Sequence, residues 1–444
     1  MIYDLVIRNG TVVRQSEAVA DVAIDGESIV EIAPGISGKG KLEIDAAGLH
    51  VFPAGVDPHV HFNDPGRADW EGFDTGSAAL LAGGGGTFFD MPLNSSPPTL
   101  DGPSFDAKSS AALGKSYADF GIWGGLTPGN LDRLEELAAR GVVGFKAFMC
   151  ASGIDDFARA DDWALFQGML LARQLGLIVA VHAENHEITA GLREMARRQN
   201  LAGVREYLRS RPQVAENEAI GRAIAIARET QCPLHIVHVS TSRGVELVAR
   251  AREEGVDVTC ETCAHYLVLS ADDAVNLGAL AKCAPPLRSP EDQKALWDHL
   301  SQGRIDIVAS DHSPAPLSMK SSSNFFDVWG GVAGVQSTRA ALTTQAHLIP
   351  PPLIARVTSS NPARRFGLLR KGVLELGFDA DVALVNLGES FTLTREMLLD
   401  RHKLSPFVGL RFRGKVRQMI LRGRTVFQDN DIIGPPAGRL VRPG

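Results

Sequence analysis

The chain has 444 residues, and at about 150 per domain that length sets a prior of two or three domains with room for a large core. Hydrophobic residues make up 44% and charged residues 22%, which excludes a disordered chain, and no run reaches the ~18 uncharged apolar residues of a membrane span. Lys and Arg number 45 against 52 Asp and Glu, and a net charge of −7 argues against nucleic acid as the main partner.

In chain order, Asp4–Val13 reads as apolar strand, Gly-containing turn, apolar strand, a hairpin signal. Strands are predicted at Asp21–Ile24 and Ser28–Ile32, with a turn at Asp25-Gly26 between them. A strand at Ala380–Val385 and a second hairpin over Gln418–Phe427 give the C-terminus the same character. Short strands at both ends predict one small β domain, a β-sandwich built from residues 1–54 and 366–444.

Between them, short apolar runs alternate with helix-length amphipathic segments. Eight runs stand out: Val51–Val60, Gly86–Pro92, Phe120–Gly125, Val142–Met149, Leu177–Val181, Leu234–Val239, Val256–Thr262 and Ile305–Ser310. Segments such as Glu218–Arg228 and Gly244–Glu253 carry Ala, Ile, Val and Leu at three- and four-residue spacing. Continuous apolar strands alternating with helices predict a parallel sheet covered on both faces, and eight units over residues 55–365 suit an α/β fold of the TIM-like (β/α)8 barrel type. An open doubly wound sheet is the alternative. It calls for a Gly-rich phosphate loop after the first strand, where this chain has His59-Val-His61.

Polar residues fall where the runs end. His59 and His61 close the first, Asn94 follows the second, Lys146 sits in the fourth, and His182, His238 and Asp311 close the fifth, sixth and eighth. In a barrel these ends converge on one mouth, and imidazoles with a carboxylate there make a site for a hard or borderline cation. His59 and His61 share a face because side chains alternate along a strand. His235 and His238, three apart, cannot both point inward, so His238 is taken as the ligand. His186 has the i, i+4 spacing of a helical pair with His182, but His182 closes a strand. Lys146 lies in an apolar run where an ammonium is costly, which favours the neutral amine. It either pairs with the site carboxylate or reacts with carbon dioxide to give an anionic carbamate.

Five cysteines predict no disulfide framework and a reducing, cytoplasmic setting, and the acidic start Met-Ile-Tyr-Asp does not suit a secretory signal. Cys260 and Cys263 have no second pair, which speaks against a zinc or redox role.

Taken together, Gly55-Val-Asp-Pro-His59-Val-His61, Gly144-Phe-Lys146, His182-Ala-Glu-Asn185, His238-Val-Ser240 and Ser310-Asp-His-Ser-Pro314 resemble the cyclic amidohydrolases, which include dihydroorotases, hydantoinases and allantoinases. Asn63-Asp-Pro-Gly-Arg67, Trp70-Glu-Gly-Phe73, Asp90-Met-Pro-Leu-Asn-Ser95, Lys282-Cys-Ala-Pro-Pro286 and Trp329-Gly-Gly-Val-Ala-Gly334 are most similar to the allantoinase branch. The resemblance implies two divalent metals, zinc first with cobalt, manganese or iron as alternatives. They would be held by His59, His61, N6-carboxylated Lys146, His182, His238 and Asp311, with CO2 supplying the carbamate. It implies a hydroxide bridging the metals, Asp311 as general base and then acid, Asn63, Asn94 and Cys283 as substrate contacts, and a homotetramer. The substrate implied is allantoin and the product allantoate, in purine-ureide catabolism.

Dihydroorotases of this framework carry Arg, Asn and His where this chain has Asn63, Cys283 and Ala315. Those groups hold a ring carboxylate that allantoin lacks, and Asn cannot replace a bidentate Arg clamp. A hydantoinase-type activity and a non-catalytic scaffold are the other readings, the last opposed by the full set of ligands. Gly86, Ala54, Ala264 and Asp64 depart from the residues usual in the group, and none is an expected ligand.

Overall fold

The computed structural model describes all 444 residues, Met1–Gly444. Eight parallel strands form the expected barrel: Gly55–Val60, Gly85–Asp90, Asp119–Ile122, Phe145–Phe148, Val179–His182, Leu234–Ile236, Val258–Cys263 and Ile307–Ala309. Ladders run from the first to the third and from the fourth to the eighth. The Val143 N–H to Ile122 carbonyl bond joins the two groups, and a parallel bridge between Val60 and His312 closes the ring. The first strand is buried at all six positions, as expected of strands covered on both faces. Helices such as Gln213–Thr230 and Ser242–Glu253 supply the outer layer, turning Ala219, Ile220, Ala223 and Ile224, or Val245 and Val248, toward it.

Both chain ends build one nine-stranded sheet. Strand Ile2–Val13 pairs with Glu17–Asp25, with Lys39–Asp45 and, at Thr11 and Val12, with His50–Pro53. His50–Pro53 in turn pairs with Val382–Thr392 from the other end of the chain. The sheet therefore forks at its first strand.

Two expectations are corrected. The run Val51–Val60 is two strands in two sheets: Ala54 donates to the Asp381 carbonyl and Gly55 to the Gly84 carbonyl, so the chain changes partners there. Asp4–Val13 is no hairpin but part of a single strand with a bulge between Ile7 and Gly10. Asn9 takes the left-handed conformation, φ 59°, and its N–H bonds Asp21, so the turn-like Asn-Gly pair is absorbed as a bulge. The resembling stretch at the C-terminus is a true hairpin, with Arg422 and Gly423 at φ 47° and 76°.

Candidate active site

The carboxyl ends of the barrel strands bring together the residues that the spacing singled out. His59 Nε2 and His61 Nε2 lie 3.2 and 3.4 Å from the same Asp311 oxygen. On the other side, His182 Nδ1 faces His238 Nε2 at 3.0 Å, and the His59 and His238 rings are 5.4 Å apart between centroids. Lys146 is completely buried, its Nζ has no hydrogen-bond partner, and it sits 4.9 Å from the centre of the Phe148 ring. Burial pushes its pKa down to about 7, against the pull of the Glu261 and Asp311 carboxylates.

His238 and Asp311 have left-handed backbone, φ 39° and 46°, as do Asn63 and Asn94, φ 66° and 70°. Such conformations cost about 1–3 kcal/mol each in non-glycine residues and persist where the surroundings over-determine them. Here they turn the chain at four strand ends so that polar side chains meet over the barrel.

His235 points elsewhere, with Nδ1 on Thr259 Oγ1 at 2.8 Å and Nε2 on Glu261 at 3.1 Å. His186 opens the helix His186–Arg198 and lines the cavity mouth without joining the cluster. Asn94 and Cys283 line the cavity, of about 630 Å3, which Asp311 and five histidines, His186 among them, border. Asn63 and Lys146 lie behind its wall: Asn63 is 1% exposed and neither side-chain polar atom has a partner. All five cysteines are buried and free.

Two carboxylates that run-end spacing does not mark, Glu261 and Glu184, stand behind the histidines. Glu261 reaches His59 Nδ1 at 2.5 Å and His235 with its second oxygen. Burial opposes its charge, but His59 and His235 outweigh that and hold its pKa at about 2. Glu184 accepts His182 Nε2–H at 2.8 Å and is also bonded by Arg211. Glu261, in the strand run Val256–Thr262, was the available signal, of the same kind that marked Lys146, although the exposed Asp257 shares that run.

These donors suit divalent cations. His59 and His182 each commit one ring nitrogen to a carboxylate and turn the other toward the cluster, the arrangement by which a ligating imidazole is oriented. His61 Nδ1, His238 Nδ1 and Lys146 Nζ are buried polar atoms without partners, which native interiors rarely leave.

A closed parallel barrel with histidines, a lysine and an aspartate at its mouth defines a metal-dependent hydrolase of the amidohydrolase kind. The family model for the amidohydrolase family matches residues 50–426, and the chain belongs to that family. It is 52% identical to a protein named allantoinase from Rubrobacter xylanophilus, over 99% of this chain and 98% of the relative. A Deinococcus radiodurans allantoinase is 49% identical over 100% and 99%. Among solved structures, the L-hydantoinase (dihydropyrimidinase) of Arthrobacter aurescens superposes with a TM-score of 0.96 at 31% identity, covering 99% of this chain and all of the other. The dihydropyrimidinase of Brevibacillus agri gives 0.91 at 32%, covering 98% of each.

Proposed function

We propose that this chain hydrolyses the ring amide of allantoin to give allantoate, in purine-ureide breakdown. The chain is a hydrolase acting on cyclic amides. The observation that carries the choice of allantoin is 52% identity, along practically the whole length of both chains, to a protein of that name. The positions that would hold a ring carboxylate in a dihydroorotase are the uncharged Asn63, Cys283 and Ala315, all buried, which suits a neutral ureide.

Two divalent cations, zinc first with cobalt, manganese or iron as alternatives, would be held by His59, His61, Lys146, His182, His238 and Asp311. When bound, they supply a Lewis acid for the amide carbonyl and a water of lowered pKa. The apolar burial and unpartnered Nζ of Lys146 support its carboxylation by CO2. Asp311 is the proton carrier. Burial opposes its charge, but His59 and His61 outweigh that and hold it well below the ordinary carboxylate range. It is therefore ionised at neutral pH, able to take a proton from the attacking water and return it to the leaving ring nitrogen. Asn94 and Cys283, on the cavity wall, orient the ureide, while Asn63, the third expected contact, lies behind that wall.

The division into a terminal β unit, 1–54 with 366–444, and a barrel, 55–365, is supported by the change of sheet at Ala54. Free buried cysteines support a cytoplasmic setting, and no helix is long and apolar enough to cross a membrane. The family resemblance supports a homotetramer, which light scattering after size exclusion checks.

The deciding experiment compares turnover of allantoin, dihydroorotate and 5-substituted hydantoins. Allantoin is expected to be the best substrate by kcat/KM. Turnover of dihydroorotate or a simple hydantoin without allantoin would overturn the reading; a hydantoinase activity is the second one, favoured by the solved structures the chain resembles.

A further inference from the structure

Behind the histidines two Arg–Glu pairs are linked: Arg288–Glu216, which is buried, and Arg211–Glu184, whose Arg211 reaches the cavity wall. Arg288 Nε donates to Ser240 Oγ at 2.9 Å, its Nη2 to Glu216 Oε2 at 2.9 Å, and its Nη1 to the Arg211 carbonyl at 2.6 Å. Glu216 closes the first arm by accepting Ser240 N–H at 2.7 Å and the Ser240 hydroxyl at 2.5 Å. Ser240 is two residues beyond His238, whose left-handed backbone must be held in place from outside. His238 N–H bonds Glu261 at 3.3 Å on one side of it, and Ser240 pins the chain on the other.

The second arm leaves from Arg211. Its carbonyl is held by Arg288, while its side chain bonds Glu184, the carboxylate that takes His182 Nε2–H. One buried side chain thus fastens the backbone near His238 and, through the Arg211 carbonyl, the residue that bonds Glu184 behind His182. Those are the two imidazoles whose ring nitrogens face each other at 3.0 Å. The His59, His61 and Asp311 trio has a different support, Glu261 on His59 Nδ1. Glu261 also reaches the His238 N–H, so it is common to both halves. Arg288 serves only one.

We infer that Arg288 is a positioning residue for the His182–His238 half of the site, setting the affinity for one of the two cations and leaving the other to the His59, His61 and Asp311 half. The geometry suits a guanidinium, because three acceptors on different segments are reached at once by its planar fork. A lysine ammonium is a point that cannot span them. The inference rests on the two-cation reading proposed above.

The test is metal content per subunit, by elemental analysis, after dialysis of the full-length protein against graded concentrations of a weak chelator. The variants are Arg288→Met, Arg288→Lys and, as a control for lost stability alone, Lys371→Met, which removes a buried ammonium from Asp119, Asp379 and Asp381. Arg288→Met is expected to weaken one dissociation constant about 10–100-fold while the other stays within about threefold. Arg288→Lys should fall between it and the parent, and Lys371→Met should leave both constants unchanged while lowering Tm. Arg288→Lys carries the test alone if Arg288→Met does not fold. Equal weakening of both constants, or of neither, would overturn the inference. A parent protein that retains no metal would instead overturn the two-cation reading.

Discussion

Glu261 stands 2.5 Å from His59 Nδ1 and 3.1 Å from His235 Nε2, so one buried carboxylate receives two imidazoles from different strands. Its charge raises the basicity of His59 at the nitrogen that faces Asp311. Glu261→Gln keeps the shape and removes the charge. Metal affinity and kcat are expected to fall about 10–100-fold, with Tm of the loaded protein lowered. Equilibrium dialysis alongside steady-state turnover checks this, and parent-like values in both would remove Glu261 from the site.

Lys146 makes a different prediction, because its Nζ has no hydrogen-bond partner in the folded chain and only the Phe148 ring beside it. Lys146→Ala should lose bound metal and activity together, while Lys146→Met should also be inactive and yet fold. A buried ammonium without a partner stabilises nothing, so the metal-free Met variant should melt at or above the metal-free parent in calorimetry. Wild-type turnover by either variant would remove the carbamate from the proposed chemistry.

Much of this architecture was legible in the sequence, since strand ends in a parallel barrel converge and chemistry-bearing residues at run ends must meet. The unseen part lies where meaning depends on a neighbour distant in sequence. Glu184 and Glu261 look like incidental acids until His182 and His59 are placed beside them. Asn9-Gly10 looks like a turn until Asp21 holds the Asn9 N–H. Two departures from the residues usual in the group explain each other only in space: a Cβ at Gly86 would lie 2.8 Å from the Ala54 Cβ, so an added methyl at 54 and a missing side chain at 86 fill the same volume.

Asp21 supports that bulge in the terminal sheet. It accepts N–H bonds from Asn9 at 2.9 Å and Ile36 at 3.0 Å, and pairs with Arg8 at 3.0 Å. Burial opposes its ionisation, but these donors outweigh it and the pKa falls below the usual carboxylate value. A depressed folded-state pKa stabilises above the unfolded value near 4 and is lost as pH falls through the lower folded value. Asp21→Asn should therefore cost on the order of 1–3 kcal/mol at pH 7, and the gap from the parent should shrink below about pH 4. Urea unfolding at pH 7, 5 and 3 measures it, and a gap independent of pH would refute the electrostatic account.

The segment after Asp311 supplies part of the cavity wall. Phe326, Trp329, Gly330 and Gly331 line it, and two buried lysines hold that segment by its carbonyls. Lys282 Nζ donates to Phe325 at 2.6 Å, Phe326 at 3.2 Å and Val328, and Lys320 Nζ to Trp329 at 3.0 Å and Gly331 at 2.7 Å. Trp329 then packs edge-on to Trp70 at 4.9 Å, with the Arg67 guanidinium on the Trp70 ring. Lys320→Met takes the donors from Trp329 and Gly331 but touches no proposed metal ligand. It should loosen the wall and not the metal centre. KM is expected to rise about tenfold or more, with metal content at the parent level and kcat lowered by less than about threefold. This split separates a wall residue from a merely structural one, since global destabilisation would lower the active fraction, and with it kcat, at unchanged KM. A fall in kcat with KM unmoved would therefore show that Lys320 holds the fold and not the substrate.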